Sequence, residues 1–301
     1  MYFIGIDGGG TKTKCVCYDD NGRELDQIIL PTCHILQVGQ EGMVKILSQG
    51  LNYFKAKFDL SHDVYIGLGL AGYGRDMKIR QQIEQACQEA FEGFDFKIDS
   101  DAKIALLGAL NQEDGMLVIA GTGSIVLGKV KGKEYRCGGW GPIIGDDGSG
   151  YTIGREVLNL YSKQSDGRME KTALYDIVKV NEKIEDDAML PAMAVKFSRE
   201  KIASFAYYAL EGAKQHDPHC LDLYKKAANE LALMIHALLK YYDQEKVYVS
   251  YAGGVFNGKD YIISPLKDCL DSRICLIDPM NQPEYGAYLL ALELYKEKKD
   301  N

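Results

Sequence analysis

The feature that most constrains the fold is a pattern of strand, glycine-rich turn and strand that occurs twice in the chain. In the first copy, a short apolar strand at residues 2–6 ends in a run of glycines, and a hairpin follows. In the second copy, the apolar run 117–120 ends in Gly-Thr-Gly-Ser, and a strand-like run follows at residues 125–130. Each copy continues into a third strand and then into helices that alternate with parallel strands. The sequence therefore predicts an internal duplication of structure, with extra helices in the second half.

The length of the chain supports two domains. Its 301 residues, of which 46% are apolar, exceed what one typical hydrophobic core accommodates. Residues 111–115, Asn-Gln-Glu-Asp-Gly, form a polar connection between a predicted helix and a predicted strand. We therefore predict an α/β protein with domains at 1–113 and 114–301, each built on a mixed five-stranded sheet flanked by helices. Two such domains are expected to face each other across a cleft lined by the glycine turns.

Charge and cysteine usage argue against several classes of protein. The net charge is −8, whereas a protein that binds nucleic acid or a membrane surface has a basic footprint. The eight cysteines are scattered and include no Cys-x-x-Cys pair, so we expect reduced thiols that mostly fill the core. A strand directly follows Met1, and neither a basic leader nor a long apolar segment is present. We therefore expect a cytoplasmic protein without nucleic-acid or membrane partners.

The first glycine turn has residues suited to a phosphate group and its metal ion. The first strand runs into Asp7, which is followed by Gly-Gly-Gly-Thr-Lys-Thr at residues 8–13. The turn is neither a Walker loop nor a dinucleotide fingerprint, because a hairpin rather than a helix follows the glycines. The carboxylate of Asp7 could hold a hydrated Mg²⁺, or Asp7 could simply form the turn. Thr11, Lys12 and Thr13 could donate to phosphate oxygens, although Lys12 could instead be a solvated turn residue.

Two further glycine segments could contact a nucleotide. The turn at residues 121–124 again combines glycine with hydroxyl groups, and two such turns could hold a triphosphate from both sides. After a strand at residues 247–251, Gly253 and Gly254 could let a nucleoside lie against the backbone. Tight packing of a helix on this strand is the alternative.

A candidate general base and a candidate sugar site come from acidic and aromatic residues. Asp99 and Asp101 flank a serine at a strand-to-helix junction, where they could be only a helix cap. Phosphoryl transfer to an alcohol also needs a carboxylate near the hydroxyl, and Asp101, which leads straight into the helix, is the better placed. Trp140 and Asp146 lie in glycine-rich segments and suit a polyol. Core packing and helix capping are their respective alternatives.

Taken together, these motifs resemble the actin/hexokinase/Hsp70 superfamily and, more narrowly, the BadF/BadG/BcrA/BcrD-type ATPase family, which includes N-acetylglucosamine kinases. IGIDGGGTKT at residues 4–13 resembles the first phosphate motif of the family, and VIAGTGS at 118–124 the second. YAGGVF at 251–256 resembles its adenosine motif. The segment 137–156, CGGWGPIIGDDGSGYTIGRE, is very close to the amino-sugar kinase signature. The motifs occur in order along nearly the whole chain.

The resemblance implies two RNase H-like, actin-like ATPase domains that close around the substrate. It implies that ATP and Mg²⁺ are the cofactors and that a hydroxyl of an amino sugar, O6 in a glucosamine-type substrate, is phosphorylated. Asp7 would position Mg²⁺, and Asp101 would deprotonate the sugar hydroxyl. Residues implied to contact the nucleotide are Gly9, Gly10, Thr11, Lys12, Thr13, Gly121, Thr122, Gly123, Gly253, Gly254 and Gly258. Residues implied to contact the sugar are His34, Asp101, Ser124, Gly139, Trp140, Gly141 and Asp146. We also expect a homodimer.

One departure from the family pattern concerns the loop after the third strand. Amino-sugar kinases tend to carry a substrate-binding Asn there, whereas this chain has Cys33 or His34 in that place. N-acetylglucosamine, glucosamine and N-acetylmuramic acid therefore all remain open as substrates.

Two other functions compete with the kinase. The first is an iron–sulfur ATPase that activates a 2-hydroxyacyl-CoA dehydratase. It would need a cysteine in a glycine-rich region, where only Cys137 lies, and the sugar-type segment that follows speaks against it. The second, a sugar sensor, usually adds a DNA-binding domain, whereas the kinase-like pattern here begins at residue 2.

Overall fold

A computed structural model describes residues 1–61 and 63–300, which form two compact units. The first unit contains residues 1–114 and the segment from Asp278 onward, and the second contains residues 115–277. The strands of the first unit are β1 (Tyr2–Gly8), β2 (Lys12–Tyr18), β3 (Glu24–Pro31), β4 (Val64–Leu70) and β5 (Asp95–Ser100). Those of the second are β6 (Gly115–Ala120), β7 (Ser124–Val130), β8 (Lys133–Gly138), β9 (Val247–Ala252) and β10 (Ile274–Leu276).

Each unit has a mixed sheet with the same order of strands. In the described residues the first sheet runs β3-β2-β1-β4-β5, and the second runs β8-β7-β6-β9-β10. The first three strands of each sheet pair antiparallel along the chain, and the last two pair parallel. The predicted α/β class and the predicted duplication are therefore confirmed.

The helices flank these sheets, and most of the additional ones belong to the second unit. In chain order they are α1 (Ile35–Lys55), α2 (Met77–Ala90), α3 (Asp101–Ala109), α4 (Gly150–Ser165), α5 (Ala173–Asn181), α6 (Leu190–Ala194), α7 (Arg199–Ser204), α8 (Ala206–Lys214), α9 (Pro218–Leu239), α10 (Asp260–Cys269) and α11 (Pro283–Lys299). Short 3₁₀ helices occur at Asp187–Met189 and Gly254–Gly258. Among the described residues, no helix has the length and apolar character required to cross a membrane.

The central strands of the first sheet bury both faces, because helices cover both. Ile4 and Ile6 point to the face that α1 and α2 cover. Phe3, which alternates with them along β1, points to the opposite face and packs against Tyr288 of α11. Side chains alternate across a strand, so β1 reads as a continuous apolar run in the sequence.

The position of α11 differs from the predicted domain boundary. The prediction assigned all residues from 114 to 301 to the second domain, whereas the structure packs α11 on the sheet of the first unit. Glycines allow this close approach: a Cβ on Gly5 would lie 2.2 Å from the carbonyl oxygen of Glu284. Lys14 of β2 also forms an ion pair with Glu284, whose side chain is buried.

A carboxylate links three helical elements of the second unit. The side chain of Asp187 accepts hydrogen bonds of 2.6–2.8 Å from Tyr161 and Ser165 on α4 and from Tyr175 and Lys179 on α5. Burial alone would raise the pKa of Asp187, but these hydrogen bonds outweigh it and hold the pKa well below its ordinary value of 3.8. The ionised form therefore stabilises the folded second unit.

Replacement of Asp187 by asparagine is expected to lower the free energy of unfolding of the second unit by about 2 kcal/mol at pH 7. The folded-state pKa is depressed, so the stabilisation is complete above the unfolded value and is lost as the pH falls through the folded value. The difference between wild type and variant should therefore be constant from pH 7 to about pH 5 and shrink at lower pH. Urea unfolding followed by circular dichroism measures it. Asp186→Asn is the matched control, since Asp186 caps the 3₁₀ helix and asparagine caps equally well. Equal losses in both variants would contradict the prediction.

Candidate active site

The carboxyl ends of three parallel strands meet at one edge of the first sheet. Asp7 of β1 aligns with Gly69 of β4, which in turn aligns with Asp99 of β5. One residue further along, Ser100 ends β5 and caps α3, whose first residue is Asp101. The register thus places the first glycine turn and Asp101 at the same edge, as is usual for ligand sites in such sheets.

The first glycine turn is held by its neighbours through its carbonyl groups. The amide of Gly9 donates to the carbonyl oxygen of Lys12 at 3.0 Å and closes the turn. The hydroxyl of Thr32 donates to the carbonyl oxygen of Gly9 at 2.8 Å, and the side-chain amide of Gln37 donates from Nε2 to the carbonyl oxygen of Gly10 at 2.9 Å. The turn is therefore fixed from one side, while Gly10 and Lys12 remain exposed.

The three polar side chains of this turn have different surroundings. Thr11 and Lys12 are exposed and available to a ligand. Thr13 is fully buried, and its hydroxyl oxygen accepts a 2.9 Å hydrogen bond from the backbone of Cys33. In the structure Thr13 therefore fixes the loop after β3.

Three carboxylates, of which Glu284 is buried and Asp7 and Asp101 are half-buried, concentrate negative charge at this edge. Burial, followed by the charges of Glu284 and Asp101, raises the pKa of Asp7 to about 7, while Lys12 and Lys14 act in the opposite direction. A divalent cation would relieve this repulsion, and Mg²⁺ usually needs only one or two carboxylates beside water and phosphate. Residues 1–61 and 63–300 contain no group of three or more His, Cys, Asp or Glu side chains arranged so that they could hold a metal ion. Asp7 therefore fits a hydrated Mg²⁺ better than an all-protein cage.

Asp101 has the environment of a poised base. Burial raises the pKa of Asp101, while the amide of Ala102, which donates to its carboxylate at 2.9 Å, and the nearby His34 oppose the shift. A carboxylate with a raised pKa accepts a proton more readily than an ordinary aspartate does. The helix-cap alternative does not apply to Asp101, since the hydroxyl of Ser100 caps α3.

The loop after β3 distinguishes His34 from Cys33. Cys33 is buried in the core beneath the sheet edge. His34 precedes α1 and is half-buried, and its Nδ1 atom is buried without a hydrogen-bond partner among the described residues. A buried polar atom of this kind calls for a partner. His34, not Cys33, can therefore meet a ligand.

The second glycine turn joins the start of α4. The amide of Gly150 donates to the carbonyl oxygen of Gly121 at 2.8 Å, and the amide of Tyr151 donates to that of Thr122 at 3.2 Å. Gly253, at the end of β9, has a φ of +104°, and a Cβ there would lie 2.4 Å from the carbonyl oxygen of Ala120. Only glycine permits this close approach of two strand ends.

A cavity of about 450 Å³ opens beside this turn within the second unit. Its volume is typical of small-ligand sites. Gly121, Thr122 and Gly254, all predicted nucleotide contacts, line it. Gly258 does not line the cavity but lies behind Tyr224, since a Cβ on Gly258 would be 2.8 Å from the Tyr224 ring. Lining residues that the sequence analysis did not single out include Glu200, Ser204, Tyr207, Leu210, Tyr224 and Asn257.

Trp140 is not a core residue. Its side chain is 66% exposed, and the guanidinium of Arg136 lies 5.6 Å from the centre of its ring. Gly139 and Gly141 on either side have φ values of +70° and +86°, which side chains rarely adopt. The two glycines therefore allow a loop conformation in which the aromatic ring of Trp140 is exposed.

Ser124 and Asp146 are buried and already have partners. The hydroxyl of Ser124 donates to the carbonyl oxygen of Asp147 at 2.6 Å. Arg199 donates from Nη2 to Oδ2 of Asp146 at 2.7 Å. The helix-cap alternative for Asp146 does not apply, because Ser149 caps α4. Arg199 was missed by the sequence analysis; the only signal was that a buried carboxylate needs a cationic partner.

Comparisons with known proteins identify first the fold and then the family. The two sheets have the architecture of the RNase H-like, actin-like ATPase fold. A ROK family glucokinase from Streptomyces griseus, solved with glucose and AMPPNP, has a TM-score of 0.60 at 18% identity, over 98% of this chain and 100% of that one. The model of the BadF/BadG/BcrA/BcrD ATPase family matches residues 4–291, so the chain belongs to this family. The predicted family is confirmed.

Several proteins that are similar to this chain in sequence or structure are described as sugar kinases. The N-acetyl-D-glucosamine kinase of Dictyostelium discoideum is 33% identical over 98% of both chains. The N-acetylmuramic acid/N-acetylglucosamine kinase of Clostridium acetobutylicum is 30% identical over 96% of this chain and 98% of its own. A structure from Chromobacterium violaceum, provisionally described as an N-acetylglucosamine kinase, has a TM-score of 0.78 at 26% identity, over 96% of this chain and 98% of that one.

Proposed function

We propose that this protein is an ATP-dependent kinase that phosphorylates a hydroxyl of an amino sugar, O6 in a glucosamine-type substrate. The proposal depends chiefly on the half-buried Asp101, which has a raised pKa and lies at the edge that holds the first glycine turn. The curated relatives that share nearly the whole length of the chain support the substrate class.

The nucleotide is proposed to bind at the two glycine turns and in the neighbouring cavity. The cavity beside Gly121, Thr122 and Gly254 has a volume typical of small-ligand sites, and backbone amides of glycine-rich turns generally suit phosphate oxygens. Asp7 would hold Mg²⁺, which when bound neutralises charge on the β- and γ-phosphates. Gly9, Gly10, Thr11, Lys12, Gly123 and Gly253 complete the proposed nucleotide contacts. Thr13 and Gly258, which the sequence analysis also assigned to the nucleotide, are buried and therefore support the turn and the cavity without contacting it.

In the proposed reaction, Asp101 accepts the proton of the sugar hydroxyl as its oxygen attacks the γ-phosphorus. The new oxygen–phosphorus bond forms as the bond between the γ-phosphorus and the bridging oxygen of ADP breaks, and ADP leaves. His34, with an unpaired ring nitrogen near Asp101, is proposed to hydrogen-bond the sugar.

The remaining sugar contacts are proposed on the loops of the second unit. The exposed ring of Trp140 offers an apolar face to a pyranose, and the backbone of Gly139 and Gly141 sets its direction. Ser124 and Asp146 would support this sugar-binding surface from its buried side. We further propose a cytoplasmic homodimer that acts on a small sugar, without nucleic-acid or membrane partners. Light scattering of the purified protein tests the dimer.

An ADP-coupled assay against N-acetylglucosamine, glucosamine and N-acetylmuramic acid tests the function. We expect at least one amino sugar to stimulate ADP release strongly over the rate without sugar, and phosphorus–carbon couplings in the NMR spectrum of the product to assign the position. If none of the sugars stimulates ADP release, the proposal is wrong. A colourless protein that tolerates oxygen would exclude the iron–sulfur alternative.

A further inference from the structure

Arg199 lies against the second glycine turn, although no motif of the sequence includes it. It is the first residue of α7, 53 positions beyond its partner Asp146. A Cβ added to Gly123 would lie 2.5 Å from Nη2 of Arg199 and 2.8 Å from Oδ2 of Asp146. The ion pair therefore occupies the space that a side chain at this point of the turn would fill.

The position of this guanidinium is fixed by its surroundings. The side chain of Asp146 is only 3% exposed, so its charge requires a lasting partner. The α7 segment itself packs closely on α4, since a Cβ on Gly154 would lie 1.9 Å from the carbonyl oxygen of Ile202. Arg199 is consequently held in place at both its backbone and its head group.

Most of the donor capacity of Arg199 remains uncommitted. Its only hydrogen bond within the described part of the chain is the one from Nη2 to Asp146, and its side chain is 41% exposed. A guanidinium has five N–H donors in a planar fork, so it can hold a carboxylate on one side and a second anion on the other. Phosphate groups match this fork well.

The cavity of the second unit continues towards this group. Gly121 and Thr122 line it from the turn, and Glu200, next to Arg199, lines it from α7. Gly123, which Arg199 contacts, directly follows Thr122 in this turn. We propose that Arg199 binds the polyphosphate chain of the nucleotide and that Asp146 positions it, an inference that rests on the proposed use of ATP.

Nucleotide titration by calorimetry tests this inference without any sugar. Since removal of Arg199 alone would leave Asp146 buried and unpaired, the variant is the double change Arg199→Ala with Asp146→Asn. We expect AMP-PNP with Mg²⁺ to bind about tenfold or more weakly to it, the loss typical of a charged hydrogen bond. Adenosine, which has no phosphate, should bind with unchanged affinity. Asp146→Asn alone keeps the guanidinium and should lose less AMP-PNP affinity than the double variant.

The matched control is the double change Arg168→Ala with Asp166→Asn, which removes an exposed Arg–Asp pair of the same unit. It should leave both titrations unchanged. Equal weakening of adenosine and AMP-PNP in the Arg199 double variant would show a structural role and overturn the inference, as would unchanged affinity for both. If the wild-type protein binds neither ligand, the proposed use of ATP fails and the inference fails with it.

Discussion

Replacement of Asp101 by asparagine should lower the kcat of sugar phosphorylation by a factor of about 10²–10⁴ while nucleotide binding is retained. Asparagine keeps the shape of the side chain but cannot accept the proton of the attacking hydroxyl. The pKa of Asp101 is raised by burial, so the wild-type carboxylate is a stronger base than an exposed one. The ADP-coupled assay gives kcat, and titration with AMP-PNP gives the nucleotide affinity.

Asp99→Asn is the control for this variant, because Asp99 lies two residues earlier and its carboxylate accepts a 2.7 Å hydrogen bond from the following backbone amide. It should keep kcat within about threefold of wild type, as expected for a residue outside the chemical step. An Asp101→Asn enzyme with wild-type kcat would remove Asp101 from the reaction. Similar losses in both variants would indicate damage to the strand-to-helix junction instead.

The parts of the fold that local sequence determines were predictable. The antiparallel pairing of β2 with β3 follows from two strand-like segments and the Asn-Gly turn between them at residues 21–22. The parallel strands follow from short apolar runs between helical segments. The location of α11 was not predictable, because its apolar pattern would suit either sheet. What selects the first sheet is the fit of glycines such as Gly67, which no local pattern shows.

The candidate site likewise contains parts that were predictable from the sequence and parts that were not. The two glycine turns were predictable, since in the sequence each is a run of glycine and hydroxyl residues directly after an apolar strand. The choice between Cys33 and His34 depends on which side chain enters the core, and the short loop after β3 has no periodic pattern that would show this. The contact of Arg199 with Asp146 could not be predicted from the sequence, because α4, α5 and α6 separate the two residues along the chain.

The contact of α11 with the first sheet has the closest backbone approach at Gly67 of β4. A Cβ there would lie 1.8 Å from the carbonyl oxygen of Ala287 and 2.9 Å from the amide of Ala291. Both atoms belong to the backbone of a helix, so neither can move aside like the end of a flexible side chain. One added methyl group must therefore push α11 away from β4.

Gly67→Ala is accordingly expected to lower the free energy of unfolding of the first unit by about 3 kcal/mol, at the upper end of overpacking costs. Displacement of α11 would also expose its buried face, so limited proteolysis should release the C-terminal segment earlier than in wild type. Urea unfolding and mass spectrometry of the fragments measure the two effects. Gly74→Ala is the control: the nearest atom to a Cβ there is 4.0 Å away, so the change should stay within about 0.5 kcal/mol. A Gly67→Ala protein as stable as this control would show that α11 does not pack on β4.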